Sequence, residues 1–170
     1  MRVTRPSSEE LAEVDSKPGA FWMGWWRNVQ IIVWVKGATL DAVERMDKVA
    51  TARSADASKS SVVHMITADA GPPESDAREA FIEVTRRHGA SVACAAVIIE
   101  RSGLMGMAVR SAVTGMIILA PKHYRVKVFD AIDQCAPWLC EQHERVTGTQ
   151  LIAAELAATL KKARAIALPG

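Results

Sequence analysis

VQIIVWVKGATLDAVERMD, residues 29–47, decides the fold. Its first eight residues, 29–36, are rich in β-branched and aromatic side chains and read as a buried strand. Gly37 closes that strand. Thr39 then caps a helix over 39–57, in which Leu40, Val43, Met46, Val49 and Ala50 recur at helical spacing with Asp47 turned outward. A strand leading directly into an amphipathic helix predicts a second strand parallel to the first, and residues 61–68 (SVVHMITA) supply it. On the other side, residues 20–27 hold Phe21, Trp22, Met23, Trp25 and Trp26. The short polar break at Arg27-Asn28 gives this pair hairpin spacing, so residues 20–27 should lie antiparallel to 29–36.

The same alternation continues downstream. A helix is expected over 74–88, with Ala77, Ala80, Phe81 and Val84 as its apolar stripe and Gly89 at its C′ position. Residues 91–100 (SVACAAVIIE) form a nearly continuous apolar run, the mark of a central strand covered on both faces. The helix expected over 103–119 mixes small residues with Met105, Met107 and Met116, and Pro121 stops it. Residues 124–129 (YRVKVF) alternate polar and apolar, as a half-exposed edge strand does. Asp130 can cap a fourth helix that ends at Gly148, with Asp133 near its N-terminus and Ile132, Ala136, Leu139 and Cys140 facing inward. A last helix over 149–166 carries the stripe Ile152, Leu156, Leu160 and Ala163. The expected fold is therefore α/β: a mixed five-stranded sheet with an N-terminal hairpin, parallel βα units and an extra C-terminal helix. Three segments follow: a polar arm at 1–19, where Ser7 and Glu10 have capping-box spacing for a short turn over 8–14; the α/β domain at 20–147; and an amphipathic helix and tail at 148–170.

Composition bounds the function. The chain has 170 residues, 49% hydrophobic and 24% charged. A chain of this size buries roughly two-thirds of its unfolded surface and needs no disulfide or metal staple. The net charge of +2 is too small to argue for nucleic acid. Three cysteines, none in a CxxC pair, give no disulfide framework, which suits a reducing cytoplasm. The polar first 19 residues lack the apolar core of an export signal. The longest apolar stretch, 104–121, is interrupted by Arg110 and is short for a membrane span of ~20 residues.

His64, His88, His123 and His143 are scattered without metal-ligand spacing, and no GxSxG or comparable nucleophile context occurs. No catalytic residue, metal or cofactor is expected. Arg101, Ser102 and Gly103 stand between a strand and a helix, where an anion or ligand can meet a helix N-terminus, although the phosphate-loop pattern is absent. Arg110 on that helix should face solvent or pair with an acid such as Glu100. Trp22, Trp25 and Trp26 put an indole on each face of the first strand. A partner surface there competes with simple cover by the last helix or the arm. The small and methionine residues of 103–119 fit tight packing on the sheet, self-association, or a wall of a lipid-like pocket. Lys122, His123, Arg125 and Lys127 discourage edge pairing, with contact to a phospholipid or acidic partner as the alternative.

Taken together, VQIIVWVKGATLDAVERMD and AVIIERSGLMGMAVRSAVTG, with their order of elements over 20–143, resemble the STAS and SpoIIAA-like domains: anti-sigma-factor antagonists and relatives, including a lipid-linked group. The resemblance implies a non-enzymatic module acting through protein contacts, as a homodimer or other homo-oligomer, with a partner the sequence does not name. The tryptophan-rich strand and the stripe of the last helix nominate Trp22, Trp25, Trp26, Ile152, Leu156 and Leu160 as contact residues. The rival expectation is a carrier of an apolar ligand between helix 103–119 and the sheet. Antagonists of this family carry a phosphorylatable serine in an Asp-Ser-Ser-Gly-like turn. Here the turn reads Asp69-Ala70-Gly71-Pro72-Pro73-Glu74-Ser75; only Asp69 and Ser75 loosely stand in, with Ser75 as the candidate acceptor, and the pattern is not met.

Overall fold

The computed structural model describes residues 10–53, 58–120 and 123–168. A six-stranded sheet runs in sequence order β1-β2-β3-β4-β5-β6. Its strands are β1 (Ala12–Lys17), β2 (Phe21–Trp26), β3 (Val29–Trp34), β4 (Ser60–Ile66), β5 (Val92–Ile99) and β6 (Arg125–Phe129). The first three are antiparallel neighbours and the last three join in parallel. Among the described residues five α-helices accompany them: α1 (Leu40–Arg53), α2 (Ser75–His88), α3 (Gly103–Leu119), α4 (Ile132–Thr147) and α5 (Ala153–Ala167).

Strand alternation sorts the sheet's side chains into two cores. On one face Ile31, Val33, Met65 and Ile98 pack under α4 and α5. On the other, Ile32, Trp34, Val97 and Ile99 pack under α1, α2 and α3. Successive parallel strands joined by helices on a single face follow the expected same-handed crossovers.

The sixth strand is a correction. Residues 12–14, expected as part of a helical turn, belong to β1, while Ser7 lies outside the described residues. β1 is polar and slips register between Glu13 and Asp15. Its strand character comes from the open edge of β2, whose backbone groups need partners. Arg45 of α1 fastens it with a two-pronged ion pair to Asp15 (2.8 and 2.5 Å).

Two other local expectations change. Gly89 keeps a right-handed conformation (φ −57°) and continues into a 3-10 turn, so it is not a left-handed cap. Ala131, not Asp130, is the N-cap of α4. Asp130 instead accepts a hydrogen bond from Arg110, the acid that Arg110 takes in place of Glu100. Glu100 is engaged by Arg164 of α5 at 2.7 and 2.9 Å. Gly148 does end α4 in the left-handed region (φ 72°), as glycine at C′ should.

Candidate functional site

The tryptophan-rich strand is core. Trp22, Trp25 and Trp26 are all buried, which removes them as a partner surface. Trp22 and Trp26 do share a face, and α5 covers it through Leu156, Leu160 and Ala163. Trp25 takes the opposite face, where the Arg53 guanidinium lies 4.3 Å from its ring centre. Trp22 donates its indole N–H to Glu13 of β1 at 2.6 Å. Leu156 and Leu160, expected as docking residues of the last helix, are fully buried against the sheet, while Ile152 just before that helix stays exposed. The correction has a plain cause: sequence periodicity finds an apolar stripe but not which neighbour covers it, and here each stripe covers the other.

The opposite holds for α3. This 17-residue helix is the most apolar in the chain, yet it buries only Gly106, Val109 and Val113. Leu104 (86% exposed), Met107 (66%), Ile118 (67%) and Leu119 (70%) face outward. Its small residues do not serve tight packing on the sheet. Gly106 is needed because a Cβ there would come within 2.3 Å of the Arg101 carbonyl oxygen, whereas a Cβ at Gly115 would meet open space.

Between α2, α3 and the sheet lies a cavity of about 880 Å³, within the size range of small-molecule sites. Its floor is Trp34, His64, Ala95 and Val97, and its walls include Phe81 of α2 and Val113 and Met116 of α3. It curls round β6 to reach Trp138 and Gln142 of α4. The site follows from local sequence. Ala93 and Ala95 leave low ground on β5, and α3 places few side chains deep enough to fill it.

His64 is the polar centre of the floor. Its ring stacks on Trp34 (centroids 6.3 Å, interplanar angle 11°) and meets Phe81 at 5.2 Å. Trp34 donates its indole N–H to His64 Nδ1 at 3.3 Å, which leaves the ring proton on Nε2. Burial pushes the His64 pKa down to about 4. His64 is therefore a neutral hydrogen-bond donor at neutral pH. The depressed value has a consequence for stability. Between pH 6.5 and 4 the unfolded chain takes up a proton that the folded chain resists, so stability is constant above that window and falls as pH drops through it. The penalty is on the order of 2 kcal/mol, since solvent in the cavity reaches the ring. Urea unfolding at pH 7 and pH 4.5 checks this: the wild type should lose more stability across that interval than His64→Phe does, and equal losses would refute it.

A second polar cluster lies beneath the other face. His143 Nδ1 and Ser61 Oγ are 2.8 Å apart, Ser61 Oγ and Cys94 Sγ 3.2 Å, and the Cys94 thiol points at the Leu139 carbonyl (3.9 Å). The arrangement that leaves the smallest deficit runs Nδ1–H to Ser61, Ser61 to Cys94 and Cys94 to Leu139. The buried, unpartnered Nε2 of His143 is then a bare lone pair rather than an orphaned donor. Ser61, Cys94 and His143 have no solvent exposure, so this is an internal strut. Burial pushes the neighbouring Cys135 and Cys140 thiols up to about 12 and about 11. All three cysteines are free and buried, and thiols held protonated in this way are poor nucleophiles. Among the described residues no group of His, Cys, Asp and Glu could hold a metal ion.

The structure does gather Arg101, Ser102, Gly103 and Arg110, around a smaller cavity of about 310 Å³. Glu100 and Asp130 line it as well, so its charges are balanced. Gly103 (φ 71°) turns the chain into α3, and Arg101 reaches the Ala70 carbonyl at 3.4 Å. Ser75 stands exposed at the first position of α2.

In its order of strands, its mixed sheet and its helices, this is the SpoIIAA-like fold. A solved structure of an uncharacterized protein of the DUF3478 family, described as having that fold, from Shewanella loihica PV-4, superposes with a TM-score of 0.51. The alignment covers 75% of this chain and 99% of that one at 17% identity. No family model matches the sequence, and no curated protein matches it. Among the described residues no helix is long and apolar enough to cross a membrane.

Proposed function

We propose that this domain is a non-enzymatic binding module for an apolar, lipid-like ligand held between α2, α3 and the sheet. One observation carries the reading: a cavity of about 880 Å³ floored by aromatic and aliphatic side chains, with His64 as its central polar group. An apolar ligand entering such a space removes hydrocarbon surface from water at roughly 25 cal/mol per Å², and His64 offers one directional hydrogen bond. The pair with hydrolytic chemistry, Ser61 and His143, is sealed on the other face of the sheet, which favours binding over catalysis. Three free thiols suit a reducing, cytoplasmic setting. Native mass spectrometry of the full chain, purified without detergent, tests the reading. A co-purified small hydrophobic molecule that organic extraction removes, and that an added long-chain lipid replaces, is the expected result. A chain that stays empty under both conditions would overturn it.

A second reading rests on the outer face of α3. Leu104, Met107, Ile118 and Leu119 put more apolar surface into solvent than an isolated helix face normally does. Self-association or a regulatory protein contact through this helix, not through the tryptophans or α5, is the corresponding proposal. Light scattering of the wild type and of Leu104→Lys/Ile118→Lys separates the cases: a dimer that becomes a monomer supports it, and a monomeric wild type ends it.

A further inference from the structure

We infer that the ligand is an amphiphile with an anionic head, and that the head sits at the basic mouth where the cavity opens beside β6. The inference rests on the cavity being the binding site, as proposed above. Among the described residues five charged side chains line that cavity, Lys36, Lys59, Arg125, Lys127 and Arg145, and every one of these is basic. The chain as a whole carries 21 Lys and Arg against 19 Asp and Glu, so an unbiased lining would hold acids about as often as bases. Strand register brings Lys59 and Arg125 to one end. Ser60, next to Lys59, pairs with Val92 at the start of β5, and Arg125 pairs with Cys94 on its other side. Lys59 and Arg125 thus flank the N-terminal end of β5, while Lys127 follows along β6 and Arg145 approaches from α4.

These cations are under-compensated. Arg145 pairs with Glu141 at 2.8 Å, and Lys127 lies over the Phe129 ring at 5.2 Å. Lys59 and Arg125 have no ion-pair partner among the described residues, nor does Lys36 at the opposite end of the cavity. Like charges gathered at a low-dielectric opening repel one another and attract a counter-ion. A neutral hydrocarbon would leave that field unused. A free inorganic anion would leave the apolar floor of Trp34, Val97 and Met116 unused. A single molecule with an apolar body and an anionic head uses both.

The test compares matched ligands on the delipidated full chain by isothermal titration calorimetry. Dodecanoate and dodecyl phosphate are expected to bind at least tenfold more tightly than dodecan-1-ol at 0.05 M salt. That advantage should shrink at 1 M salt, where the screening length falls to about 3 Å. In Lys59→Gln/Arg125→Gln, two exposed positions, the anions should drop to within about threefold of the alcohol while the alcohol's own affinity is unchanged. Inorganic phosphate at the same concentration should not displace dodecanoate; displacement would show a free-anion site and overturn the amphiphile. Equal binding of acid and alcohol, indifferent to salt and to the double substitution, would overturn the anionic head and leave the apolar cavity standing. Binding of none of the three would overturn the cavity reading itself.

Discussion

Ala95→Trp should abolish uptake of an apolar ligand while leaving the domain folded. Ala95 lies on the floor of the cavity, on the interior strand β5, with its Cβ directed toward α3. An indole built there projects into empty space rather than into packed atoms, so the usual penalty of overpacking a core, about 1–3 kcal/mol, is largely avoided. It would lie alongside His64, since β4 and β5 pair with Val62 opposite Ala95 and His64 opposite Val97. A ligand chain running from the β6 mouth toward Trp34 must cross that point. At least a tenfold loss of affinity is expected, about 1.4 kcal/mol, with the thermal midpoint unchanged or raised. Fluorescence titration with a long-chain fatty acid analogue, paired with a melting curve, reads both quantities. Wild-type affinity in a folded Ala95→Trp would place the ligand elsewhere.

The largest effect on stability is expected from Leu156→Asp. Leu156 has no solvent exposure and packs with Leu160 and Ala163 against Trp22, Ile31 and their neighbours. Truncating such a leucine already costs about 2–5 kcal/mol. A carboxylate in its place must also give up its hydration with no cation beside it, which adds several kcal/mol more. Against a total stability of about 5–15 kcal/mol for a domain, the variant should not fold. Ile152→Asp is the internal comparison. The position belongs to the same sequence stripe, but it is 53% exposed and is the N-cap of α5. Aspartate is a favoured N-cap, so this variant should match or exceed the wild type by up to about 1 kcal/mol. Far-ultraviolet circular dichroism and urea unfolding distinguish the two at once. Comparable behaviour of both variants would contradict the burial of α5.

The two substitutions also show where sequence reasoning stops. Ile152, Leu156 and Leu160 are indistinguishable as a periodic stripe, and only the packing of α5 on β2 and β3 separates an exposed cap residue from two core residues. The same limit applied to Trp22, Trp25 and Trp26. Alternation placed them correctly on two faces, yet it could not show that α5 and the α1 arginine each cover one. The cavity was legible only as an alternative use of 103–119, because a helix composition rich in glycine and methionine does not state how far the helix stands from the sheet. The basic residues at 122–127 were visible as a cluster. Their meeting with Lys59 and Arg145 was not, since those lie about 65 residues before and 20 after in the chain.

What the sequence by itself determined is the series of elements: the hairpin, the alternation of strand and helix from VQIIVWVKGATLDAVERMD onward, the breaks at glycine and proline, and hence the α/β class. Those are local consequences of side-chain period and backbone preference, complete within a dozen residues. Tertiary structure alone decided three things: that a polar segment becomes the sixth strand, that the tryptophans are core, and that α3 stands off the sheet. Each depends on which surface a distant segment leaves uncovered. β1 forms because β2 has an open edge, the indoles are buried because α5 returns across them, and the cavity persists because Ala93 and Ala95 leave room that Val109 and Val113 do not fill.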